Sequence, residues 1–112
     1  QDHIPVGAIY VGRESEVSKV IGQISDRDRT DTRIIYAYAR TNRFDEVVKS
    51  WQLAVANDPG NAQLHLSLGA AYLQVGRRQD AIAEIQKSID LNEEFREQGE
   101  FYINEIRAGR NP

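Results

Sequence analysis

The sequence predicts an all-α fold, a short solenoid of helical hairpins preceded by an extended N-terminal arm. Three observations predict it. Residue classes recur 34 positions apart: Tyr38 with Tyr72, Asn42 with Gly76, Arg43 with Arg77, Val47 with Ala81 and Ala54 with Ser88. Within each period the apolar residues fall three and four apart, the spacing of one helix face. Turn-forming residues then close the stripes, as at Gly76 and at Asp58-Pro59-Gly60.

The elements follow in order. Residues 1–13 are read as an arm, because Ile4 to Val11 is apolar, β-branched and interrupted by Pro5 and Gly7, which favours extended chain over helix. Its Ile4, Val6, Ile9, Tyr10 and Val11 are the residues expected to seat on a partner. Residues 14–27 place Val17, Val20, Ile21 and Ile24 on one stripe behind a possible cap at Ser15, and read as an N-terminal capping helix. Asp26 to Arg33 alternates charge densely and reads as a solvated linker into the first repeat.

The first repeat, 28–61, pairs a helix carrying Ile34, Ile35, Tyr38 and Ala39, closed near Asn42, with one carrying Phe44, Val47, Val48, Trp51 and Ala54. In the second, 62–95, Asn61 caps a helix with Leu64, Leu68, Ala71 and Tyr72, and Gly76 stops it. Ala81, Ile82, Ile85, Ile89 and Leu91 make its partner. The last segment, 96–112, completes a fifth helix that starts near Glu93 and stops at Gly109; it reads as a C-terminal cap, with Phe101, Tyr102, Ile103 and Ile106 apolar.

A 34-residue period built of two helices resembles the tetratricopeptide repeat (TPR) family. The second repeat carries Leu68-Gly69, Tyr72, Gly76 and Ala81-Ile82 at that family's spacing; the first carries Ile34, Tyr38, Val47, Trp51, Ala54 and Pro59. Together they cover 68 of 112 residues. Ile35 departs from the small residue usual at its position, Asp31 from the usual aromatic, and His65 takes that aromatic position in the second repeat. The resemblance implies that the first helix of each pair lines a concave groove. That would place Arg33, Tyr36 and Arg40 there from one repeat and Leu66, Ala70 and Leu73 from the next. Leu66 and Leu73 stand off the core stripe, and exposed apolar residues of this kind mark interaction sites. Members that grip acidic chaperone tails use Lys and Asn at set groove positions; Tyr36 and Ala70 stand where the Asn would be, so that activity is not expected.

Composition narrows the function. The chain is 40% hydrophobic and 28% charged, with a net charge of -3, which gives no field suited to nucleic acid. No apolar run approaches the roughly 20 residues of a membrane span. There is no cysteine and so no disulfide, thiolate nucleophile or Cys-based zinc site. His3 and His65 are the only histidines, and His65 reads as a packing residue rather than an acid–base group. The expectation is a non-enzyme with no cofactor, metal or small-molecule substrate. Its partner is expected to be protein, foremost other copies of itself. An initial Gln and the absence of Met suggest a cleaved product or an excised piece. The leading expectation is a self-assembling, exported bacterial subunit that forms a filament or tube at the cell surface, its arm engaging a neighbouring subunit. The alternative is a soluble adaptor tail of a bacterial envelope membrane protein, since Phe95 to Ile106 resembles the closing helix of TPR tails on O-antigen polymerases and ligases.

Overall fold

A computed structural model describes residues 29–112. The arm residues and the 14–27 segment lie outside them. The described residues are helical throughout, without a strand: α1 (Thr32–Arg40), α2 (Phe44–Asn57), α3 (Ala62–Gln74), α4 (Arg78–Leu91), a 3-10 turn (Glu93–Phe95) and α5 (Arg96–Arg107). The chain divides into two compact units, Gln1–Leu53 and Ala54–Pro112, with the boundary inside α2.

The sequence period is written into the helix ends. Helices α2 and α4 are each 14 residues long and start at Phe44 and Arg78, one period apart. Helices α1, α3 and α5 all stop on a left-handed residue: Asn42 (φ 60°), Gly76 (φ 81°) and Gly109 (φ 84°). Each stop reverses the chain so that a following amide returns to the last turn, with Arg43 N donating to Tyr38 O at 2.8 Å, Arg77 N to Tyr72 O at 2.9 Å and Arg110 N to Glu105 O at 2.9 Å. Glycine adopts that φ without steric cost, and Asn is among the few other residues that tolerate it. The starts of α1, α3 and the 3-10 turn are capped as well. Asp31 accepts from Arg33 N, Asn61 from Gln63 N and Leu64 N, and Asn92 from Glu94 N. The expected linker is therefore shorter than its composition suggests: Asp31 is already a cap, and Thr32 and Arg33 are in α1.

In the first unit, α1 buries Ile34, Ile35, Ala37 and Tyr38, and α2 buries Val47, Val48 and Ser50. Trp51 is only half-buried. Arg29 pairs with Glu46 and lies over the Tyr38 ring, 5.8 Å from its centroid. Burial pushes the Tyr38 phenol above its ordinary value, against the lowering pull of Arg29. The hydroxyls of Tyr38 and Ser50 are buried with no hydrogen-bond partner among the described residues. A buried unpaired hydroxyl costs about 1–3 kcal/mol. Tyr38→Phe and Ser50→Ala are therefore expected to leave stability unchanged or raise it by up to about 1 kcal/mol in denaturant titrations. Loss of stability in both would mean that each hydroxyl has a partner.

In the second unit, α4 is the central helix, packed by α3 on one side and α5 on the other. Two glycines set these approaches. A Cβ on Gly69 would lie 2.9 Å from Ile85 Cγ1 and 3.2 Å from the Ala81 carbonyl oxygen. A Cβ on Gly99 would lie 2.7 Å from both Cγ1 and Cδ1 of Ile89. Ile85, Ser88 and Ile89 are buried beneath these contacts, with Ala81 on the same stripe. Arg78 ties down the far end, donating to the carbonyls of Ile106 and Arg110, each at 2.9 Å. Ile106 lies in the last turn of α5, where its carbonyl also accepts from Gly109 N, and Arg110 lies just beyond the helix end.

Candidate functional site

Because α3 and α5 both dock on α4, a groove of about 310 Å³ remains between them. Its floor is Gly69 and Ile85. One wall is the outer face of α3, where Leu66, Ala70 and Leu73 fall three and four apart with Gln63, Ser67 and Gln74 beside them. The other wall comes from α5: Gln98, Tyr102 and Ile106, again at helical spacing. Gln98 Nε2 donates to the Tyr102 hydroxyl at 2.8 Å, and Gln63 Nε2 reaches Ser67 Oγ at 3.5 Å. Twelve residues line the groove, and none carries a charged side chain.

The structure brings Leu66, Ala70 and Leu73 together on this wall. It differs on exposure. Leu66 is buried at 9% and Leu73 is half-buried, while Ala70 is exposed, so the apolar surface is a recessed strip rather than protruding side chains. The α5 wall went unread in the sequence. Its signal was there: Gly99, Ile103 and Ile106 mark the buried side of α5, which turns Gln98 and Tyr102 toward its flank.

Arg33, Tyr36 and Arg40 share an exposed face of α1 in the first unit, and each is engaged locally. The Arg33 guanidinium Nη2 lies 2.9 Å from Asp31 Oδ2, and the hydrogen bonds from Arg33 hold the Asp31 carboxyl below its ordinary value. Arg40 stacks over the Tyr36 ring at 5.5 Å, and Tyr36 is 61% exposed. This face is cationic and aromatic where the α3–α5 groove is neutral.

His65 is not part of the groove lining. It is 5% exposed, its Nε2 is 2.7 Å from the Pro59 carbonyl oxygen and its Nδ1 is 2.8 Å from Glu84 Oε1. The Pro59 carbonyl can only accept, so Nε2 faces an acceptor, while Nδ1 faces the Glu84 carboxylate. The arrangement ties the loop before α3 to α4. Among the described residues no group of three or more His, Asp or Glu could hold a metal ion. No described helix is long and apolar enough to cross a membrane.

No protein-family model matches the chain, and no curated protein or solved structure is significantly similar to it.

Proposed function

We propose that this chain is a TPR-type helical-hairpin module that works by protein–protein interaction without catalysing a reaction, and that its principal partner is another copy of itself. The observation that carries this reading is the open, uncharged groove between α3 and α5 in a chain that is 28% charged. Surfaces that meet only water have no reason to exclude charge over such an area, whereas interface centres are depleted of it. The common 34-residue offset of α2 and α4, with the shared left-handed stops of α1 and α3, supports the repeat assignment.

On this reading the arm at 1–13 joins subunits. A contact in which one copy's arm meets a different surface of the next is heterologous, and repeats into rings or open filaments. Light scattering tests it directly. The mean mass of the full chain should rise with protein concentration, and the chain lacking residues 1–13 should remain monomeric. A full chain that is monomeric at every concentration would overturn self-assembly.

A further inference from the structure

We infer that the α3–α5 groove accepts an uncharged peptide segment in extended conformation, and that its occupant is residues 4–11 of this chain. The inference rests on the interaction reading above and names the ligand of that site. Charge decides the ligand class. At the chain's 28% charged composition about three of the twelve lining residues would be charged, and none is. A charged ligand side chain would lose hydration there and find no side chain of opposite charge, whereas a neutral one loses nothing of the kind.

Hydrogen bonding decides its conformation. Gln63, Gln74 and Gln98 stand along the two walls, and each amide offers two donors and an acceptor. An extended segment carries unpaired backbone N–H and C=O groups on both edges, which need such partners once they leave water. Leu66, Leu73 and Tyr102 supply apolar surface between the amides for the segment's side chains.

Residues 4–11, Ile-Pro-Val-Gly-Ala-Ile-Tyr-Val, fit both requirements: no charge, and a composition that disfavours helix. Eight extended residues span about 26 Å, and the 13 residues of α3 about 20 Å, so the segment is long enough to run the length of the groove. The exposed face of α1 suits it poorly. Arg33 and Arg40 would have to be desolvated against apolar side chains that offer them nothing.

The chain contains no cysteine, so two introduced ones report a single contact. In the full chain, Ile9→Cys with Ala70→Cys should form a disulfide under mild oxidation. Ile9→Cys with Lys87→Cys, on an exposed α4 position outside the groove lining, should trap about tenfold less, the ratio that 1.4 kcal/mol of preference produces. Adding Gly7→Glu and Val11→Glu, on the same face of an extended segment as residue 9, to the first pair should reduce trapping about tenfold while circular dichroism is unchanged. Equal trapping at Ala70 and Lys87, or trapping indifferent to the two glutamates, overturns the inference. A cross-linked dimer and an intramolecular cross-link both support it, since each seats the segment in the groove. Light scattering separates the two readings. An assembling chain whose Ala70 pair does not trap keeps the interaction module and loses this ligand; a monomer that traps internally keeps the ligand and loses self-assembly.

Discussion

Glu84→Ala is expected to destabilise the Ala54–Pro112 unit by about 1–3 kcal/mol, the cost of leaving a buried polar group without its hydrogen-bond partner. The carboxylate is 12% exposed and meets His65 Nδ1 at 2.8 Å, while its other oxygen accepts from Lys87 Nζ at 3.3 Å. Without it, the His65 ring keeps its contact with the Pro59 carbonyl and loses its partner at Nδ1, in a site only 5% exposed. The Lys87 contact contributes little, because its side chain is 59% exposed and solvent takes over. Glu84→Gln separates charge from hydrogen bonding. Its amide can meet Nδ1 as donor or as acceptor, so the loss should fall to about 1 kcal/mol or less. Denaturant titrations of both variants measure the difference. Equal losses would mean that the hydrogen bond at Nδ1 is not what holds the histidine, and a negligible loss in both would place the tie in solvent.

How the sequence announced this region explains what sequence reading reaches. The helix ends were legible because their causes are local: Asn61 caps α3, Asn42 and Gly76 close helices with a positive φ, and Asp58-Pro59-Gly60 cannot continue α2. Such features depend on four or five consecutive residues, and any observer of the chain meets them together. His65 was readable as a packing residue from its place in the repeat, but Glu84 was not readable as its partner. An acidic residue on a helix is solvated by default, even though Glu84 lies three residues beyond buried Ala81 and four before buried Ser88. The groove was half legible for the same reason. The α3 face with Leu66, Ala70 and Leu73 follows from helical spacing. Its second wall depends on how α5 is rotated about its own axis, and Gly99 sets that rotation by docking on Ile89, ten residues earlier in a different helix. Leu66 owes its burial to the fold around it, which periodicity along α3 does not contain.

That docking predicts a change of sign between two backgrounds. Alone, Gly99→Ala should destabilise the unit. The new Cβ would stand 2.7 Å from Ile89 Cγ1 and Cδ1 and 3.3 Å from Ile85 Cγ2, and Ile89 is 1% exposed, with no open side to move into. Overpacking of this kind costs about 1–3 kcal/mol. It is opposed by the helix propensity of alanine over glycine, about 1 kcal/mol within a helix such as α5. The steric term therefore wins by up to about 2 kcal/mol. Ile89→Ala alone should cost about 2–5 kcal/mol, because it leaves a cavity where one of the best-buried side chains stood. The same substitution removes both Ile89 atoms that the new methyl group would strike. In the Ile89→Ala background the propensity gain is left nearly unopposed, and Gly99→Ala should become stabilising by about 0.5–1 kcal/mol. Chemical denaturation of the wild type, the two single variants and the double variant closes the cycle. A Gly99→Ala effect of equal size and sign in both backgrounds would mean that Ile89 does not set the approach of α5 to α4, and the far wall of the groove would need another cause.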